Sequence, residues 1–188
     1  MFERFLLNLK NMVTMFNSKD NEPTYIQHLN ISQHDPLTGL VNRNLMEDRI
    51  TYALQNAVCH GESIGILYCD LNEFKQINND FGRVIGDRVL QEVAKIIQEF
   101  FCESDTIARW GGDEFLILVE HLDTKIALNE MANQLSKRIA FTTTEHQLSV
   151  SASIGVASFP NDGMSKEQLI ALSDAKMYQN KQRYYGFS

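Results

Sequence analysis

Nowhere in the chain do about 18 apolar residues follow one another, the length a membrane-spanning helix requires, so no span is expected. Cysteine is scarce. Cys59, Cys69 and Cys102 are odd in number and widely spaced, which fits neither a zinc pattern nor a disulfide framework. They read as free, buried thiols in a reducing cytoplasm. Basic charge is in short supply too: 17 Lys and Arg stand against 24 Asp and Glu, a net charge of −7. A sequence-independent nucleic-acid binder needs a basic face, so that class is excluded. A nucleoside triphosphate is not excluded, because a divalent cation can bridge carboxylates to phosphates. Internal repeats and low-complexity tracts are absent. The opening MFERFLLNLKNMVTMF is interrupted by Glu3, Arg4, Asn8, Lys10 and Asn11 and makes a poor signal-peptide core.

With 188 residues, 44% of them hydrophobic and 22% charged, the chain suits one domain with an ordinary core and a short extension. Residues 1–34 read as a helical leader or linker. Phe2, Phe5, Leu6, Leu9, Val13 and Phe16 recur near helical spacing, a polar breaker spans Asn17 to Pro23, and a second helical piece runs from Tyr25 to Gln33. From Asp35 onward the elements form a separate domain, 35–188. Asn42 caps a helix reaching about Val58, with Leu45, Met46, Ile50, Ala53, Leu54 and Ala57 inward. Ser63 to Cys69 is a strand buried on both faces. Arg88 to Phe101 is helical, Thr106 to Trp110 and Phe115 to Glu120 form a hairpin, and Thr124 to Phe141 is a helix. Leu148 to Phe159 alternates as a half-buried strand, and Lys166 to Lys181 closes as a helix.

This β-α-β-β-α-β order is the split βαβ arrangement: an α+β fold, ferredoxin-like or palm-like, with an antiparallel central sheet flanked by helices. Its first and third strands are antiparallel neighbours, so the end of one lies beside the start of the other. Asp70 ends the first, while Asp113 and Glu114 begin the third, and these acids should meet at one edge of the sheet. Between the hairpin strands, Gly111-Gly112 reads as a tight turn whose backbone takes positive φ and admits a ligand closely. Two oxygen ligands, Asp70 and Asp113, suit Mg²⁺, which leaves other positions to water and substrate phosphates.

The segment Arg109-Trp110-Gly111-Gly112-Asp113-Glu114-Phe115 resembles the signature of GGDEF-domain diguanylate cyclases. The block Asp70-Leu71-Asn72-Glu73-Phe74-Lys75-Gln76-Ile77-Asn78-Asn79, the opening Asp35-Pro36-Leu37-Thr38-Gly39-Leu40-Val41-Asn42-Arg43 and the closing Asp174-Ala175-Lys176-Met177-Tyr178-Gln179-Asn180-Lys181 are similar to further blocks of that family, in order, over about residues 35 to 185. The resemblance implies an enzyme that condenses two GTP into cyclic di-GMP and two pyrophosphates across a homodimer, with Mg²⁺, or Mn²⁺ in its place. It implies catalytic roles for Asp70, Asp113 and Glu114, and metal ligation by Asp70, Asp113 and the Leu71 carbonyl. Phosphate would be held by backbone amides around Glu73, Phe74 and Lys75, close to Gly111 and Gly112, and by Lys181. Asn78 and Asp87 would read guanine, whose N1–H and exocyclic amine are donors that an amide oxygen and a carboxylate accept. Helix capping and turn formation are the commoner use of such residues. Arg83, which replaces a common His, would contact nucleotide. An upstream sensor domain or partner, and control of biofilm and motility, are also what the family implies.

Three further departures matter. Asn79 stands where an Asp is usual. Tyr185 replaces a phosphate-binding Arg, which implies weaker γ-phosphate binding; Arg183 sits two positions away, on another helix face. The family's product-inhibition motif, Arg-x-x-Asp, reads Cys102-Glu103-Ser104-Asp105 here: Asp105 is retained, but the bidentate Arg is missing. Two rivals remain: a catalytically weak module that holds GTP or cyclic di-GMP and signals by contact, and a cyclase making a cyclic mononucleotide on a related sheet.

Overall fold

The computed structural model of the protein describes residues 33–142 and 148–186. Nearly all of the expected leader lies outside the described residues. Helix α1, Arg43–His60, starts at Asn42, whose side chain accepts from the Leu45 amide, and buries Met46, Ile50, Ala53, Leu54 and Ala57. Strand β1 is Ile64–Leu71. Two helices follow, α2 (Phe74–Phe81) and α3 (Arg83–Phe100), broken at Gly82 with φ 83°. The hairpin is β2 (Thr106–Arg109) and β3 (Glu114–Val119). Helix α4, Lys125–Ile139, is capped by Thr124. Strands β4 (Phe141–Thr142) and β5 (Ser149–Val150) make a small ribbon, β6 is Ala152–Phe159, and α5, Lys166–Tyr184, is capped by Ser165.

The main sheet has the order β2-β3-β1-β6 and is antiparallel throughout. It is an α+β, palm-like sheet with helices on both faces. Alternation along each strand divides its side chains between two cores. Leu67, Cys69, Leu71, Phe115 and Ile117 pack with α3 and α4. Ile64, Ile66, Tyr68, Leu116 and Leu118 pack with α1 and α5. The β2 edge is covered by the opening segment: Val41 bridges to Ala108 and accepts from the Arg109 amide at 3.0 Å. The β6 edge is covered by side chains. The carbonyls of Ala152, Ile154 and Val156 accept from Ser136 Oγ, Asn180 Nδ2 and Lys176 Nζ at 3.2, 2.7 and 2.8 Å. Unpaired edge carbonyls invite a second chain, and these three are occupied.

Three expectations are corrected. The segment from Phe74 to Phe81 is a helix of its own, and α3 begins at Arg83 rather than Arg88. Leu148 to Phe159 is not one half-buried strand: it breaks at Ser151, and all of β6 is buried. Its small-residue side lies under α5, where a β-carbon at Gly155 would run into the Ser173 carbonyl and the Met177 amide. Only Cys69 is a buried thiol; Cys59 and Cys102 are exposed. As the topology implies, the end of β1 lies beside the start of β3, with Asp70 opposite Glu114.

The contact at Gly155 involves backbone atoms that no rotamer change can move. Gly155→Ala is expected to lower stability by about 3 kcal/mol or more, measured by urea denaturation; a loss under about 1 kcal/mol would contradict this packing.

Candidate active site

Asp70 lies directly opposite Glu114 in the β1–β3 ladder, and the Leu71 amide donates to the Asp113 carbonyl at 3.2 Å. Because side chains alternate, Asp70, Tyr68 and Glu114 share the face covered by α5. The Tyr68 hydroxyl donates to Glu114 Oε1 at 3.0 Å. From α5, Lys181 forms an ion pair with Asp70. Asp113, Glu114, Asp70 and Lys181 are therefore brought together.

Burial shapes the titration of Asp70 and Glu114. Desolvation raises the pKa of Asp70; Lys181 opposes this, while Asp113 and Asp174 add to it. Desolvation likewise raises Glu114, with the charges of Asp70, Asp113 and Asp174 acting in the same direction and the Tyr68 hydrogen bond against it. Tyr68 is itself pushed up by burial and by Glu114. Burial works against the Lys181 ammonium, but its contact with Asp70 outweighs this and holds its pKa above the ordinary lysine value.

The turn before β3 is held from both sides. Trp110 and Gly111 amides donate to the Glu114 carbonyl at 2.8 and 3.3 Å. Neither Gly111 nor Gly112 has positive φ, contrary to expectation. Their use is space. A β-carbon at Gly111 would strike the Glu114 carboxylate, and at Gly112 nothing lies within 4 Å, so that side stays open to an approaching group. Arg109 Nε and Nη2 donate to the Gly112 carbonyl at 3.1 and 2.7 Å, and its Nη1 reaches Asp35 at 3.2 Å. Asp35 also accepts from the Thr38 amide and hydroxyl at 2.8 and 2.7 Å. Burial would raise the Asp35 pKa, but these partners hold it below the usual value. Arg43 stacks over Trp110, 4.4 Å from the ring centre. Sequence reasoning gives Asp35 only a turn and Arg109 no part. Their long-range link, which braces the signature turn, leaves no local signal.

The loop after β1 is fixed by a buried network. Asn72, 4% exposed, donates to Ser151 Oγ at 2.9 Å and accepts from Ser153 Oγ at 2.8 Å. Glu73 follows with φ 58° and leads into α2, so Phe74 and Lys75 open a helix. The Glu73 amide donates to the Tyr185 hydroxyl at 3.3 Å. Asn78 projects against α3, where a β-carbon at Gly86 would overlap its carboxamide oxygen; Asp87 is the next residue and is exposed, as are Lys75 and Arg83. Gly86 is thus the sequence signal that ties Asn78 to the Asp87 end of α3.

Elsewhere, Asp105 does structural work. Its carboxylate accepts from the Cys102 and Glu120 amides at 3.1 and 3.2 Å. Burial raises its pKa against those bonds. It borders a cleft of about 280 Å³ with Phe101 and Cys102.

Among the described residues no three His, Cys, Asp or Glu side chains form a complete metal-ligand cluster. Asp70 and Asp113 are a sparse all-oxygen donor set, which fits a cation that keeps water and substrate oxygens in its shell, as Mg²⁺ does. The ammonium of Lys181 on Asp70 marks a place where positive charge is favoured.

A carboxyl whose pKa is raised by folding is stabilising, relative to its charged state, below its unfolded pKa, and that contribution is lost as pH rises through the folded pKa. For Glu114 the window opens near the ordinary glutamate value of about 4.3. Glu114→Gln keeps an acceptor for Tyr68 but cannot ionise. It is expected to be more stable than the wild type at neutral pH and to lose less stability as pH rises through that window, measured by denaturation across pH. An unchanged slope would contradict the account.

Comparison with known proteins supplies the frame. The family profile described as "Diguanylate cyclase, GGDEF domain" matches residues 32–185. A bifunctional diguanylate cyclase/cyclic di-GMP phosphodiesterase, MucR of Pseudomonas aeruginosa, is 39% identical over 155 residues, covering 81% of this chain and 22% of that protein. PdeR of Escherichia coli, named a cyclic di-GMP phosphodiesterase, is 33% identical over 154 residues, covering 81% of this chain and 23% of that protein. The chain thus spans less than a quarter of these two relatives. Among solved structures, the GGDEF domain of TpbB from Pseudomonas aeruginosa superposes with a TM-score of 0.76 at 33% identity, covering 80% of this chain and 89% of that one. With its sheet, its signature turn and most of its length shared in this way, the chain belongs to the diguanylate cyclase GGDEF-domain family.

Proposed function

We propose that the protein is a diguanylate cyclase that joins two GTP molecules into cyclic di-GMP and releases two pyrophosphates. The observation that carries this reading is the pairing of Asp70 with Glu114, beside Asp113, at a turn left open at Gly112. In each half-reaction a 3′-oxygen–phosphorus bond forms, the bond from the α-phosphorus to pyrophosphate breaks, and the 3′-hydroxyl loses its proton. Glu114, with its raised pKa and its Tyr68 partner, is suited to accept that proton. Asp70, Asp113 and the Leu71 carbonyl would hold Mg²⁺, or Mn²⁺ in its stead. When bound, the ion supplies charge neutralisation at the phosphates and a more acidic 3′-hydroxyl. The Glu73–Lys75 amides and Lys181 orient the phosphates, Asn78 and Asp87 select guanine, and Arg83 contacts the nucleotide. Arg109, fixed by Asp35, keeps the turn in place. Phosphoryl transfer relies on positioning and electrostatics, which is what this arrangement offers.

One pocket holds one of the two reactants, so the reaction requires two copies of the domain face to face. In this reading residues 35–188 are the cyclase domain, residues 1–34 lead into it and tune dimerisation, a sensor domain or partner supplies the signal, and the protein works in the cytoplasm. No described helix is long and apolar enough to cross a membrane. A weakly catalytic module that binds GTP or cyclic di-GMP is the second reading. It is favoured by Tyr185 and by the similarity to a relative named a phosphodiesterase.

Purified protein incubated with GTP and Mg²⁺ is expected to yield cyclic di-GMP, identified by chromatography and mass. Unchanged GTP with measurable binding would support the second reading, and cyclic GMP would overturn both. Tyr185→Arg is expected to lower KM for GTP by about tenfold, the value of one charge-assisted hydrogen bond; an unchanged KM would contradict the assigned phosphate contact. Because Asp105 is committed to two amides and Cys102 replaces the gripping Arg, product should inhibit little through this motif. Micromolar product inhibition abolished by Asp105→Ala would be the contrary result.

A further inference from the structure

Helix α5 ends against the proposed phosphate and metal positions. Lys181 and Tyr185 are one turn apart and project to the same side: Lys181 reaches Asp70, and Tyr185, at the helix C-cap, reaches the Glu73 amide. The two contacts are complementary in charge to what the site is built to take. An ammonium sits on the carboxylate assigned above to a cation, and a hydroxyl oxygen sits on an amide assigned above to a phosphate oxygen. Glu73 holds positive φ, 58°, and this strained residue presents its N–H where the Tyr185 oxygen accepts it. The Tyr185 amide in turn donates to the Lys181 carbonyl at 3.2 Å, and Tyr184 stacks edge-on against Tyr185 at 5.2 Å, so the turn is itself ordered.

We propose that the last turn of α5 is an internal substitute for a metal–phosphate pair, with Tyr185 as a latch that nucleotide must displace. The proposal rests on the nucleotide-binding reading above and adds a control to it. In the ligand-free protein the hydroxyl occupies the Glu73 amide. Nucleotide binding exchanges that bond for one to phosphate, and Lys181 leaves Asp70 for the same phosphate group. Tyr185 therefore sets affinity by competition, which is separate from its failure to supply the charge of an Arg.

Tyr185→Phe keeps the ring and removes the hydroxyl, whereas Tyr184→Phe makes the same change one residue away. Binding of 3′-deoxy-GTP with Mg²⁺, which cannot condense, is measured by calorimetry on the full chain, together with the amide resonance of Glu73 in ligand-free protein. Tyr185→Phe is expected to shift the Glu73 resonance and to bind about fivefold tighter than the wild type, the worth of one neutral hydrogen bond, with Tyr184→Phe like the wild type. Equal affinity in Tyr185→Phe and wild type overturns the latch and leaves nucleotide binding standing. Tighter binding with an unmoved Glu73 resonance also overturns it. No binding by any of the three proteins overturns the nucleotide reading and the latch with it.

Discussion

Asp70 faces Glu114 because Cys69 faces Phe115 and Tyr68 faces Leu116 in the same antiparallel ladder. The side-chain period of a strand is two, so a slip of one residue in β1 would turn every side chain to the opposite core. Cys69 and Phe115 are fully buried against α3 and α4, and Ile66 and Leu116 against α1 and α5. Neither set can move to the wrong face without losing its packing. The hydrophobic pattern thus fixes the register, and the register places two carboxylates side by side. The polar chemistry at the strand ends depends on the apolar fit along the strands.

Such a placement has an electrostatic cost. The charges of Asp113 and Asp174 act on Asp70 and Glu114 across a partly buried space, and like charge nearby disfavours the ionisation of these two. The fold offsets this with Lys181 on Asp70 and Tyr68 on Glu114. Arg109 serves differently: its two bonds to the Gly112 carbonyl and its pair with Asp35 fix the turn. Bringing like charges together in this way works against stability.

Much of this was legible. The β1 run, the hairpin, the Asn42 cap and the split βαβ order follow from apolar pattern and turn chemistry. Other features were hidden for physical reasons. Helix α2 has eight residues and buries only Ile77, too few turns for a periodic stripe. β6 reads as half-solvated because one side carries Ser and Gly; those small residues let α5 approach closely, as Gly155 demonstrates. The Gly111-Gly112 pair suggests backbone freedom, but the requirement at Gly111 is room for the Glu114 carboxylate. Contacts such as Asn72 with Ser153, Arg109 with Asp35 and Tyr185 with Glu73 join residues far apart in the chain. No local pattern encodes them, although the acids they support were visible at once.

A crystal structure with Mn²⁺ and a non-hydrolysable GTP analogue, read through the anomalous signal of the metal, tests the central claim most directly. The account expects one cation between the Asp70 and Asp113 carboxylates, beside the Leu71 carbonyl, with the phosphates along the start of α2 and Lys181 turned from Asp70 towards them. Carboxylates directed apart with no anomalous peak between them, or nucleotide seated elsewhere on the domain, would contradict it.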